Sequence, residues 1–198
     1  MSNPWDERYS IIEYIYGKEP NDFLREHYKL LPKGTILSLA EGEGRNAVFL
    51  AKQGYRVIAI DSSSVGLEKA SKLAKENKVA IETVCADLAH YQLDKSGYEG
   101  IVSIFCHIPP EARKLLYAQL GDAIKPGGVL LLEAYTADQI GKGTGGPPTA
   151  ELTNSLAEMN QYLDEFDILH AKEFDREVVE GRFHSGIGSV VQIIAKRK

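Results

Sequence analysis

The sequence is most informative first in what it lacks. No apolar run approaches the roughly 20 residues needed to span a bilayer, and the strongest apolar stretches, such as Val129 to Leu132, are short. Cysteine is scarce: Cys85 and Cys106 are the only two. That excludes a disulfide framework, and no Cys/His spacing resembles a zinc site, so no metal is expected. Positive charge is not in excess. Against 28 Asp and Glu there are 23 Lys and Arg, a net charge of −5, which argues against a dedicated nucleic-acid binder. The basic tail Lys196-Arg197-Lys198 reads as a solvated terminus. Met1 to Arg8 is polar and lacks the apolar core of a secretion signal, so the expected location is cytoplasmic. No repeat period or linker is visible. What remains is 198 residues, 43% apolar and 26% charged, the composition of one soluble globular domain.

The chain is organised around Thr35 to Asn46. An apolar strand, Thr35 to Leu39, breaks into a glycine-containing turn, and a helix follows from Arg45 to Gln53. Strand, tight turn and helix start are the parts of a nucleotide-type ligand site. Gly42 and Gly44 can take positive φ, and the helix start offers unpaired N–H groups. Upstream, Trp5 to Tyr16 mixes aromatics with charge and is partly helical by pattern. Asn21 opens a helix over Asp22 to Leu31. Downstream the pattern predicts strands at Tyr55–Ile60, Ala80–Cys85, Ile101–Phe105 and Val129–Ala134. Helices fall at Ser64–Asn77, Glu111–Ile124 and Ala150–Leu163. Two final strands cover Ile168 to Val179 and Ile187 to Ala195, joined near Gly181. Between Gly141 and Pro148 lie four glycines and two prolines, the composition of a mobile or functional loop.

Five rounds of alternating strand and helix predict a parallel sheet covered on both faces. Ligands in such sheets sit beyond the carboxyl ends of the strands. The unusual polar residues fall there: Glu41 to Asn46, Asp61, Asp87, His107 and Tyr135. Gly42, Gly44 and Ala47 match G-x-G-x-x-A, and Asp61 lies where a ribose-binding carboxylate is expected. An NAD-dependent oxidoreductase therefore stays open. So does an ordinary βα turn with Asp61 as a helix cap.

Together the residues resemble the class I S-adenosylmethionine-dependent methyltransferases. The resemblance rests on Gly42-Glu43-Gly44, Asp61, Ala86-Asp87-Leu88 and Lys125-Pro126-Gly127-Gly128, in the family's order and at family-like spacings. Within the family, Gly42 to Asn46 and Ala51 to Asp61 look like the small-molecule branch that includes tellurite-resistance and thiopurine methyltransferases. The resemblance implies a single α/β domain with a Rossmann-like methyltransferase fold. Its sheet would be seven-stranded and mostly parallel, with helices on both faces and an antiparallel C-terminal strand. Residues 1–33 would form a helical cover, 34–136 the cofactor core, and 137–198 a loop, a helix and the strand pair.

It also implies S-adenosyl-L-methionine as cofactor. Ala40, Glu41, Gly42 and Gly44 would pass its methionine part, with Arg45 and Asn46 nearby. Asp61, supported by Ser62, would hold the ribose diol. Asp87 would accept from the adenine amine, and the Leu88 N–H would donate to the ring. Cys106 and His107 would line the methionine and acceptor side, and Tyr9 would cover the cofactor. The chain departs from the pattern where Ser38 replaces the usual acidic residue and Ala40 the first glycine. Glu41 would then take over contact with the methionine ammonium.

The implied acceptor is a small molecule: a thiol, a selenium or tellurium oxyanion, or similar. Ile108-Pro109-Pro110-Glu111 lacks the polar and aromatic ends of the nucleic-acid amino-methyltransferase motif, so neither nucleic acid nor membrane is an expected partner. Monomer and homodimer are both compatible. His107 is the best-placed candidate base, with Tyr135 and His184 behind it. A packing role for His107 and a non-catalytic cofactor-binding protein remain the alternatives. The two thiols are expected to be buried and unpaired.

Overall fold

The computed structural model describes residues 3–181 and 183–198. Seven strands form one sheet: β1 (Thr35–Leu39), β2 (Arg56–Asp61), β3 (Glu82–Cys85), β4 (Tyr98–Ile104), β5 (Ile124–Tyr135), β6 (Phe166–Glu180) and β7 (His184–Arg197). Their order is β3-β2-β1-β4-β5-β7-β6. β1 to β5 pair in parallel, while β7 runs antiparallel to both β5 and β6. The sheet is thus mostly parallel with an antiparallel end, as the resemblance implied.

Alternation along each strand builds two cores. Leu37, Leu39, Leu130 and Leu132 face one layer together with Leu116 and Leu120. Ile36 and Leu131 face the other, against Leu24, Leu50 and Leu67. Successive side chains of a strand point to opposite faces, so a strand buried on both faces reads as a continuous apolar run. The helices are α1 (Pro4–Tyr9), α2 (Asp22–His27), α3 (Arg45–Lys52), α4 (Ser64–Glu76), α5 (Pro110–Tyr117), α6 (Leu120–Ala123) and α7 (Leu156–Met159).

The expected helix over Asp22 to Leu31 is α-helical to His27 and ends in a 3-10 turn (Tyr28–Leu30), and two others are broken. The one over Glu111 to Ile124 splits near Gln119, whose side-chain carbonyl accepts from the Leu93 N–H at 2.9 Å. The one over Ala150 to Leu163 becomes a 3-10 turn (Ala150–Leu152), α7 and a second 3-10 turn (Asn160–Tyr162). Here the Asn154 N–H donates to the Tyr135 carbonyl at 2.9 Å. Ser155 then caps α7 by accepting from the Glu158 N–H at 3.1 Å. The thiol expectation also needs correcting. Both cysteines are free, but Cys85 is exposed and only Cys106 is buried.

Candidate functional site

Beyond the carboxyl ends of β1 to β4 lies a cavity of about 340 Å³, within the range of small-molecule and cofactor sites. Ala40 and Glu41 after β1, Asp61 and Ser62 at β2, Asp87 and Leu88 after β3, and Phe105 and His107 after β4 all line it. Two of these linings are left-handed without being glycine: Ala40 at φ 49° and Phe105 at φ 52°. Such backbone is uncommon and clusters at functional sites. Here it turns two neighbouring strands sharply at the mouth of the cavity.

The turn after β1 is held by Glu41. Its Oε1 accepts from the N–H groups of Asn46 at 3.0 Å and Ala47 at 2.9 Å, in the first turn of α3. Its Oε2 accepts from the Ser38 hydroxyl. A carboxylate at a helix N-terminus satisfies orphan donors and complements the helix dipole. Ser38 and Glu41 therefore place a carboxylate over the strand end, where the family pattern has an acidic residue in the strand itself. Burial pushes the Glu41 carboxyl up, and bonds from Ser38, Ala47 and Asn46 pull it back.

Gly42 and Gly44 serve the turn and its packing rather than the cavity wall. A Cβ on Gly42 would stand 2.6 Å from the Tyr9 hydroxyl, and one on Gly44 2.6 Å from Ala70 of α4. Asp61 has each oxygen on one backbone donor: Oδ2 on the Gly42 N–H and Oδ1 on the Ser63 N–H, both at 2.8 Å. A carboxylate has about four acceptor sites, so each oxygen keeps capacity for a ligand hydroxyl. Burial raises the Asp61 carboxyl, opposed chiefly by the backbone bonds from Ser63 and Gly42. Asp87 is exposed, with Oδ1 accepting from the Ala89 N–H at 2.9 Å.

The N-terminal segment closes one side. Asn3 Nδ2 donates to the Ser62 carbonyl at 2.6 Å, and Asp6 accepts from the Ser63 hydroxyl at 2.6 Å. Lys69 of α4 donates to the carbonyls of Ile11 at 3.0 Å and Glu13 at 2.6 Å and pairs with buried Glu43. Glu43 in turn accepts from the Ile15 N–H at 2.7 Å. This strap brings Trp5, Arg8, Tyr9 and Tyr16 onto the cavity. Burial holds the Tyr9 phenol neutral by raising its pKa, and Asp61 adds to the effect.

From the far side comes Gly146-Pro147-Pro148. Sequence composition suggests mobility there. In the structure the loop is held on Gln139, whose Nε2 donates to Thr144 at 2.9 Å and to the Gly145 carbonyl at 2.8 Å. Thr144 donates onward to the Ile187 carbonyl of β7 at 2.8 Å.

Beneath the Arg45 side of the cavity runs a buried polar network. Arg45 pairs with Glu180 at 2.5 Å, and Asn21 donates to Glu180 at 2.7 Å and to Glu133 at 2.9 Å. Arg176 pairs with Glu133, and Gln192 also donates to it. Asn46 Oδ1 accepts from the Asn21 N–H at 2.9 Å. One donor is left over: Arg45 Nη1 is buried and has no hydrogen-bond partner, while the residue lines the cavity. An unmade bond on a buried charged group is costly, and an anionic ligand group would complete it.

The expected site residues now divide. Tyr9, Ala40, Glu41, Arg45, Asn46, Asp61, Ser62, Asp87, Leu88 and His107 share the cavity wall. Four others lie off it: Gly42 and Gly44 in the turn, and Cys106 and Tyr135 behind the wall. Cys106 packs in the core, and burial pushes its thiol up to about 12. Tyr135 is fully buried, stacked under Phe105 at 4.5 Å. His107 reaches the wall with both ring nitrogens engaged. Nδ1 lies 3.0 Å from the Leu152 carbonyl, and Nε2 accepts from the Tyr135 N–H at 3.5 Å. Burial lowers its pKa to about 4, and the geometry is that of a bridging, neutral imidazole. Arg8, Tyr16, Leu152 and His184 complete the wall from sequence-distant segments. No local motif marks them; the aromatic richness of Trp5 to Tyr16 hinted at the cover, and His184 stood only as a weaker candidate base.

Strand order and the carboxylates gathered at the strand ends are those of the Rossmann-like fold of class I S-adenosylmethionine-dependent methyltransferases. More particularly, residues 36–128 match the family described as Methyltransferase domain, and S-adenosyl-L-methionine is the cofactor of that class. The chain is 31% identical over 121 residues to ubiquinone biosynthesis O-methyltransferase of Rickettsia felis, covering 61% of this chain and 47% of that protein. It thus spans about half the length of the curated relatives it matches. TehB from Haemophilus influenzae superposes with a TM-score of 0.72 at 20% identity, over 89% of this chain and 62% of that one. The 1,6-didemethyltoxoflavin-N1-methyltransferase of Burkholderia thailandensis, solved with S-adenosylhomocysteine, superposes at 0.62 with 17% identity, over 89% and 76%. These two likenesses show the fold. Among the described residues no helix is long and apolar enough to cross a membrane.

Proposed function

We propose that this chain transfers the methyl group of S-adenosylmethionine to a small-molecule acceptor. The observation that carries the reading is the single cavity onto which Glu41, Asp61 and Asp87 converge beside the orphan donor of Arg45. The residues fit the donor in parts. Asp61 and Ser62 would hold the ribose hydroxyls, and Asp87 and the Leu88 N–H would hold the adenine. Arg45 Nη1 would take the methionine carboxylate, with Glu41 giving negative charge near the ammonium. Bound S-adenosylmethionine supplies a methyl already activated on a sulfonium. The protein therefore has to align the acceptor and exclude water, and positioning alone is worth several kcal/mol. Trp5, Tyr9 and Tyr16 do the excluding, held down by Lys69 and Glu43.

The acceptor belongs to the small molecules. The cavity is enclosed by the strap and the braced loop, and net charge of −5 disfavours nucleic acid. Thiols and selenium or tellurium oxyanions remain in the acceptor set, joined by hydroxyls, since the Rickettsia felis relative is named as an O-methyltransferase. Calorimetric titration with S-adenosylhomocysteine is the first test, and saturable binding is expected. Labelled-methyl transfer across thiols, selenite, tellurite, amines and phenols is the second. No binding at millimolar ligand would remove the reading.

A further inference from the structure

His184 opens β7 at the tip of the β6–β7 hairpin, four residues after Glu180 closes β6. Its ring lines the cavity between Tyr16, centroids 4.6 Å apart, and Phe105, centroids 4.9 Å apart. Nδ1 is enclosed and makes no hydrogen bond, facing Glu180 Oε2 at 3.9 Å. Of the two ring nitrogens Nδ1 alone is enclosed without a partner, and the ring lines the cavity. The Glu180 carboxylate is kept charged in spite of burial, because Arg45 and His184 hold it down at about 2. This is the arrangement of a general base and its orienting carboxylate, in which such bonds are often long before ligands bind. His107, by contrast, has spent both nitrogens on backbone.

We propose that His184, oriented by Glu180, is the general base for the acceptor, and that the acceptor is a flat ring bearing a phenol-type hydroxyl or ring N–H. The assignment rests on the methyl-transfer reading. Tyr16 and Phe105 form aromatic walls that suit a planar guest. A neutral imidazole matches a phenol, with an ordinary pKa of about 10, better than an alkyl alcohol, and a thiolate would need no base. In the step, the acceptor's heteroatom bonds to the methyl carbon, and the carbon–sulfur electron pair leaves with the thioether. The acceptor's proton passes to His184 Nε2, and the Glu180 carboxylate, shared with Arg45, stands beside the imidazolium that forms. Around His184 stand Glu180 on β6, Arg45 on α3, Arg8 on α1, Tyr16 ahead of α2, Tyr135 on β5 and His107 after β4. Burial lowers the His184 pKa, and Glu180 pulls it back up, so the ring is neutral and ready at neutral pH.

The probe is 4-nitrophenol, whose absorbance reports its ionisation, added to the full chain saturated with S-adenosylhomocysteine. Bound 4-nitrophenol should ionise at lower pH than in solution. His184→Gln should abolish that displacement while leaving S-adenosylhomocysteine affinity within about twofold. Glu180→Gln should move the His184 ring titration, followed by NMR, to lower pH, which a merely structural Glu180 would not do. Failure of 4-nitrophenol to bind, an unshifted ionisation in the wild type, or a shift surviving in His184→Gln overturns the proposal. Absence of S-adenosylhomocysteine binding instead brings down the methyl-transfer reading on which it rests.

Discussion

Arg45 sits where two demands meet. One guanidinium nitrogen neutralises Glu180, and the other is buried without a partner beside the cavity. Arg45→Lys keeps a charge for Glu180 but loses the planar fork. If the spare nitrogen holds the donor's carboxylate, this variant should bind S-adenosylhomocysteine about 10- to 100-fold more weakly, the worth of one charge-assisted hydrogen bond. Its affinity for 5′-methylthioadenosine, which lacks the amino-acid tail, should be unchanged. Equal weakening of both would mean that Arg45 acts through the fold. Glu41 makes a second prediction at this scale. Burial raises its carboxyl above the ordinary 4.5, so the folded chain binds that proton more tightly than the unfolded one. Its contribution is then most favourable below the ordinary value and is lost as pH rises through the folded value. Glu41→Gln should lack that decline, since an amide can still accept from Asn46 and Ala47. Urea midpoints measured against pH should diverge in favour of the variant towards neutrality, and parallel curves would refute the assignment.

Among the elements, the strap over the cavity hangs on few bonds. Lys69 of α4 makes two close contacts to the carbonyls of Ile11 and Glu13 and one to the Glu43 carboxylate. Lys69→Met should leave the sheet intact but speed hydrogen exchange across Tyr9 to Ile15, and it should weaken S-adenosylhomocysteine binding as the aromatic cover loosens. Unchanged exchange in that segment would show the strap to be held by α1 packing instead. The same element shows where sequence reading stops. β1 and its turn were legible because an apolar strand, glycines and a helix start follow one another locally. Asp61 and Asp87 were legible because each ends a strand. The partnership of Arg45 with Glu180 was not, since it joins residues that only the β6–β7 hairpin brings together. Nor was the break near Asn154, where a bond to the Tyr135 carbonyl outweighs helical pattern. His184 stood only as a weaker candidate base because the hairpin tip, not its neighbours in sequence, carries it onto the cavity.

For the whole molecule, the question is which ligand the sheet was folded to hold. The G-x-G-x-x-A pattern alone fits NAD as well as S-adenosylmethionine. The β3 end with Asp87 and Leu88, and the antiparallel end that sends His184 back over the cavity, are outside that pattern. A ligand that binds only the folded chain stabilises it by about 2.7 kcal/mol at one hundred times its Kd. For a domain of this size each kcal/mol raises Tm by about 2–4 °C. S-adenosylhomocysteine at that excess should therefore lift Tm by about 5–10 °C, with NADH at equal concentration leaving it in place. The reverse result would reassign the cavity to a dinucleotide, because both ligands carry an adenosine for Asp61 and only the remainder distinguishes them. Arg45→Lys should shrink the S-adenosylhomocysteine shift while His184→Gln leaves it whole. That contrast would separate the residue that holds the donor from the one that serves the acceptor, across a network that joins both to Glu180.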